Sequence, residues 1–154
     1  MRPGPALALL LLLLPGLAFG FPRLKVRPPE GFAEAQPGRG AAYRALSPEG
    51  VLYRIRLFRN EPEKPLGFWG EALKNHLVQE GYRLNGEGQP FQAGETAGTA
   101  FEWVVPFGTE SYLYLTAVLV SGRRIVVAEA AGPYALITRY RQGLLESLQS
   151  IRLR

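Results

Sequence analysis

Ser111-Tyr-Leu-Tyr-Leu-Thr-Ala-Val-Leu-Val-Ser121, followed across Gly122-Arg123-Arg124 by Ile125-Val-Val-Ala-Glu-Ala130, is the stretch that decides the fold. Side chains alternate between the two faces of a strand. Leu113, Leu115, Ala117 and Leu119 therefore share one face, and Tyr112, Tyr114, Val118 and Val120 the other. A strand of an antiparallel sheet with one wet face would read apolar, polar, apolar; this one is apolar on both sides and so belongs to a sheet covered twice.

The covers lie on either side in sequence. After Gly132-Pro133, the residues Ile137, Tyr140, Leu144 and Leu148 fall at helical spacing. Upstream, Pro65 opens a stretch to Glu80 in which Trp69, Leu73 and Leu77 make one helical stripe, and Gly81 stops it. The remaining segments read as strands: 32–36, 41–46, 51–59, 82–85 and 99–105, with 151–153 either a helix end or a short strand. Ser47-Pro48-Glu49-Gly50 and Pro106-Phe107-Gly108-Thr109 read as turns, and the glycine-rich residues 86–98 as a mobile connection able to border a binding surface. Short links between strands favour antiparallel pairing. The expectation is an α+β fold, an antiparallel sheet of about six or seven strands with a helix packed on each face. Trp69 and Leu144 should be buried on opposite faces. The core should comprise Tyr53, Ile55, Leu57, Trp69, Leu73, Leu77, Phe101, Trp103, Leu113, Leu115, Ile125, Val127, Ile137, Leu144 and Leu148.

The beginning of the chain reads differently. Met1-Arg2, the unbroken apolar run from Ala6 to Leu14, the Pro15-Gly16 break and Ala18-Phe19-Gly20 have the layout of a secretory signal peptide. Residues 1–20 are assigned to the signal, cut after Gly20 or alternatively after Ala18, and residues 21–154 to one domain. The rival is an uncleaved anchor, but the stretch is shorter than the roughly 20 residues that span a bilayer. An exported chain, periplasmic or secreted, is the reading. Without Arg2 it carries 17 basic and 13 acidic residues, a net charge of +4. Anionic surfaces are thus possible contacts, while export argues against nucleic acid.

Composition removes most catalytic inventories. The 154 residues contain no Cys and no Asp, and His76 is the single His. Disulfides, thiolate metal sites, multi-His zinc sites and a Ser-His-Asp triad are excluded. His76 borders the Leu73–Leu77 stripe and reads as structural, and the glycines do not follow a dinucleotide or phosphate-loop pattern. No cofactor and no catalytic or metal-binding residue is assigned. Four residues stand as a candidate binding surface. Arg54 and Arg56 lie on the strand face opposite Val51, Tyr53, Ile55 and Leu57, as on a half-buried strand; Glu102 and Glu129 interrupt apolar strands. The two carboxylates could serve as an acid–base pair; the commoner arrangement pairs each with Arg or a Tyr hydroxyl.

Several short motifs are shared with a known family. They are Pro29-Glu30-Gly31-Phe32, Ser47-Pro48-Glu49-Gly50 before a strong strand, Gly98-Thr99-Ala100-Phe101-Glu102, Arg124-Ile125-Val126-Val127, Gly132-Pro133 before the last helix, and the ending Ser150-Ile151-Arg152-Leu153. Across residues 25–154 the chain resembles the PsbP-like family, whose fold is shared with the Ran-binding nuclear-transport regulators of yeast. The resemblance implies an exported binding or assembly-support module, not an enzyme. The metal or chloride retention of the photosynthetic branch is not carried over, because its acidic and His ligands have no match here. The leading expectation is a non-enzymatic bacterial envelope protein that binds a partner protein or a small ligand. The rivals are an envelope hydrolase using Glu102 or Glu129 and an anionic-surface binder.

Made in a bacterium with a working export system, the full chain should yield a mature form starting at Phe21, or at Phe19 for the alternative cut. It should be a soluble monomer that folds without metal or cofactor. Intact-mass analysis of the exported protein checks the cut, and a mass that retains residues 1–20 would refute it.

Overall fold

The computed structural model describes residues 23–154, so the signal-peptide reading lies outside the described residues. Ten strands and two helices follow in the order β1 (Leu24–Lys25), β2 (Ala33–Glu34), β3 (Tyr43–Leu46), β4 (Leu52–Arg59), α1 (Leu66–Gln79), β5 (Arg83–Leu84), β6 (Gln89–Ala93), β7 (Thr96–Phe107), β8 (Glu110–Ser121), β9 (Arg124–Pro133), α2 (Tyr134–Gln149) and β10 (Arg152–Leu153). The main sheet has eight strands in the order β2-β3-β4-β9-β8-β7-β5, with β6 also pairing with β7. Every pairing in it is antiparallel. β1 and β10 form a separate two-stranded ribbon.

Three two-residue hairpins build the sheet's centre. Gly94-Glu95 joins β6 to β7, Gly108-Thr109 joins β7 to β8, and Gly122-Arg123 joins β8 to β9. Each glycine has positive φ, +63°, +61° and +57°, and among the described residues no other residue type does. That is the type II′ pattern, with glycine first, whose twist suits adjoining strands. The region read as a mobile connection is thus partly a hairpin, and β6 is the strand that raises the count above six or seven. Gly98 makes the pairing possible, since a Cβ there would lie 2.5 Å from the ring of Phe91 across the ladder.

Both faces are covered, as the β8 pattern requires. Leu73 and Leu77 of α1 pack with Phe101, Trp103, Tyr114, Val118, Ile125 and Val127 on one face. Ile137, Leu144 and Leu148 of α2 pack with Tyr53, Ile55, Leu113, Leu119 and Val126 on the other. Trp69 and Leu144 do lie on opposite faces. Of the expected core, Leu57, Trp69 and Leu115 are only half-buried. Trp69 sits at the rim because its indole N–H donates to Asn60 Oδ1 at 2.7 Å, and a polar tip of this kind favours a boundary position. No helix among the described residues is long and apolar enough to cross a membrane.

The second helix has an outer strap. Ser147 Oγ donates to the Arg27 carbonyl at 2.6 Å, the Arg27 N–H donates to Ser150 Oγ at 2.9 Å, and the Phe32 ring meets Tyr140 edge-on at 4.9 Å. Gly143 permits this approach, since a Cβ there would lie 3.2 Å from the Glu30 backbone nitrogen. The segment before the first expected strand is therefore anchored through β1 as well.

Leu77→Ala in α1 and Leu144→Ala in α2 should each cost about 2–5 kcal/mol. Because the sheet separates them, the double variant should lose the sum to within about 0.5 kcal/mol. Urea unfolding of the four proteins checks this; strong non-additivity would mean the two cores are one.

Candidate ligand-binding site

The two-faced sheet sorts the four candidate residues. Glu102 lies on the α2 face, opposite Leu115 in the β7–β8 ladder. Arg141 of α2 grips it bidentately, Nε to Oε1 at 2.6 Å and Nη2 to Oε2 at 3.0 Å, and the Asn85 amide reaches Oε2 at 3.3 Å. Glu129 lies on the α1 face beside Val127 and is 7% exposed. Its Oε1 accepts from Arg54 and, at 2.9 Å, from Arg56, and its Oε2 accepts from the Tyr114 hydroxyl at 2.6 Å. Arg54, Arg56 and Glu129 thus come together, and Glu102 does not join them. The two carboxylates cannot work as an acid–base pair on one substrate, because the sheet lies between them. Arg56 also departs from the half-buried-strand reading: it is 7% exposed, drawn down by the buried carboxylate.

The electrostatics of the Glu129 cluster follow from its burial. Desolvation first, and then the charge of Glu129, push the Tyr114 hydroxyl well above its ordinary range. Tyr114 therefore stays protonated and donates. Burial likewise pushes up the Tyr53 hydroxyl, which lies 3.2 Å from Ser147 Oγ on the other face. No group of three or more metal-ligating side chains occurs among the described residues.

The α2 face holds a cavity of about 410 Å³ between the helix and the sheet. Its floor is a row of small residues. Ala100 pairs with Ala117 and Ala117 with Ala128, so three alanines stand side by side on three adjacent strands. In the next row, Glu102, Leu115 and Ala130 are neighbours in the same way. Leu144, Leu145 and Leu148 of α2 form the opposite wall, and Asn85, Glu87 and Gln89 edge it together with the Glu102–Arg141 pair. The alanines leave the gap because their methyl groups stop short of the helix side chains. An apolar interior with a few polar groups on its border is the usual form of a small-molecule site. The glycine-rich stretch does border this cavity through Gly86. Sequence reading missed Arg141 and the alanine row, since neither is visible until the strand register is known.

At the level of sequence, no family model and no curated protein matches the chain. Solved structures do match in fold. LpqN of Mycobacterium tuberculosis, a protein involved in cell envelope biogenesis, superposes with a TM-score of 0.70 at 8% identity, over 87% of this chain and 84% of its own. A Pseudomonas aeruginosa protein of unknown function gives 0.60 at 7% identity, over 89% and 87% of the two chains. Cyanobacterial PsbP from Synechocystis gives 0.57 at 9% identity, over 93% of this chain and 99% of its own. The chain has the PsbP-like fold. At these identities the likeness establishes the architecture alone, and the PsbP-like resemblance read from the short motifs agrees with it.

The Tyr114–Glu129 contact has a testable pH signature. A hydroxyl whose folded pKa lies above its unfolded value of about 10 leaves stability unchanged below that pH. Above it, the unfolded chain ionises first and stability falls, by up to about 1.4 kcal/mol per pH unit for each such group. Urea unfolding between pH 8 and 11 should show this decline, with a shallower slope in Tyr114→Phe. Equal slopes would remove Tyr114 from the account.

Proposed function

We propose that this chain is an exported, non-enzymatic binding module of the bacterial cell envelope that holds the apolar part of a small amphipathic molecule beneath α2. The cavity carries the reading. Its volume of about 410 Å³ falls within the range of ligand sites, roughly 300–1,000 Å³. Its alanine floor and leucine wall suit a hydrocarbon group, and the Glu102–Arg141 pair with Asn85 suits a polar end at the border. Envelope placement is supported by the signal-like residues 1–20 and by the likeness to LpqN, whose own role is in envelope biogenesis. The hydrolase alternative loses its acid–base pair, because Glu102 and Glu129 lie on opposite faces and are each tied to arginine.

N-phenyl-1-naphthylamine, an uncharged apolar fluorophore, probes the cavity without favouring cationic surfaces. The mature protein should bind it saturably. Ala128→Leu and Ala117→Leu, which fill the gap from its floor, should weaken binding by about tenfold or more while keeping the fold, as far-UV and near-UV circular dichroism would show. Arg54→Gln on the opposite face should leave binding unchanged. No saturable binding, or binding indifferent to the filled floor, would refute the reading.

A further inference from the structure

The other face of the sheet carries an unbalanced set of cations. α1 packs over β5, β7 and β8. Towards β3 and β4 the same face is open: the Arg54 side chain keeps 30% of its exposure, and Ala131 opposite Leu52 is exposed. In this opening Arg44 stands directly across the ladder from Arg54, and Arg54 directly across from Glu129. Residues so placed have Cβ atoms about 5 Å apart, and like charges in that position repel. Arg56, two residues from Arg54 on the same face, also reaches Glu129. Three guanidinium groups thus stand beside one carboxylate, whose two oxygens are engaged by Arg54, Arg56 and Tyr114 and not by Arg44. The Arg44 Nε is buried without a hydrogen-bond partner.

The neighbouring acids do not restore balance. Glu34 of β2 pairs opposite Ala45, which places it on the α2 face, where it accepts from Tyr43. Glu80, just past α1, acts on Tyr82, whose ring stacks at a tilt on Tyr114 with centroids 5.6 Å apart. Even with Glu80 counted, three positive charges face two negative ones. Two arginines set side by side across a ladder, one of them fixed by a carboxylate, present fork-shaped donors to an oxyanion.

We propose that Arg44 and Arg54 bind an oxyanion of the phosphate class, with Glu129 and Arg56 holding Arg54 in position. A doubly charged oxyanion between the two guanidinium groups turns their repulsion into attraction. The shared chemistry is a phosphate group, borne either by a lipid headgroup or by a free phosphorylated molecule. This site is separate from the cavity beneath α2 and does not depend on it.

Inorganic phosphate titrated into the mature protein at low salt, followed by amide NMR shifts, tests the proposal. Saturable binding is expected, weakened by about tenfold or more in Arg44→Gln and in Arg54→Gln, the loss of one charge-assisted hydrogen bond. Arg83→Gln, exposed on the far edge strand β5, should leave binding unchanged. Glu129→Gln should weaken binding with the fold retained by circular dichroism, because Arg54 is then no longer held beside Arg44. If that variant fails to fold, Arg44→Gln decides. Ala128→Leu should not alter phosphate affinity, so the two sites fail separately. Co-sedimentation with phosphatidylglycerol vesicles that is lost in Arg44→Gln and competed by phosphate assigns the group to a lipid. Phosphate binding without co-sedimentation assigns it to a free molecule. Absent phosphate binding, equal loss in Arg83→Gln, or wild-type affinity in Arg44→Gln would overturn the proposal.

Discussion

A sheet that is apolar on both sides must be covered on both sides, and the size of the available covers sets everything else in this structure. Seven neighbouring strands at about 4.8 Å spacing make a surface roughly 30 Å across, while one helix with its side chains is about 10 Å wide. Neither helix can cover a face alone. On the α2 face the deficit is met by the strap from Arg27 to Phe32, tied down at Ser147, Ser150 and Tyr140. On the α1 face nothing comparable among the described residues reaches β3 and β4, and there the side chains, those of Arg44 and Arg54, turn charged. The cationic opening is thus the place where the apolar cover ends.

Glu129 marks that border. Removing a carboxylate from water costs several kcal/mol unless strong partners replace the lost hydration. Here two guanidinium groups and a tyrosine hydroxyl do so. Apolar residues of similar volume could fill such a position without the desolvation cost, so stability alone is a weak reason for it. What the carboxylate does achieve is geometric. It draws Arg56 under the surface and fixes Arg54 upright beside Arg44, an arrangement that flexible, solvated arginines would not keep.

Much of this was legible in the residues. The β8 pattern demanded two covers and the helical stripes supplied them, so the α+β architecture and the opposite placement of Trp69 and Leu144 followed from periodicity. The hairpin at Gly94-Glu95 carries the same glycine-first signal as those at Gly108 and Gly122, but it was masked by Gly86, Gly88 and Gly98 and by Pro90 nearby. The pairing of Glu129 with Arg and Tyr was the commoner expectation and is what the structure has. Its partners were not assignable, because Arg54 meets Glu129 across 75 positions. The alanine floor was least legible of all. Ala100, Ala117 and Ala128 are ordinary strand residues one at a time, and they become a gap only when the register sets them in line.

The period of two along β9 keeps the two sites chemically apart. Ala128 and Ala130 face the cavity, and Glu129 between them faces the arginines. No side chain on this strand can serve both faces, and a molecule in the cavity cannot touch a group bound at Arg44. The connection runs through the backbone of β4, which sends Tyr53 to the cavity and Arg54 to the other face, and of β9, each hydrogen-bonded on both edges. Strands held in this way resist shifts in register, because a one-residue slip would turn Glu129 into the α2 core and Ala128 into the cationic opening. Rigid backbone and opposed side chains together mean that each site can be filled without the other, so the fold presents two independent surfaces on one sheet.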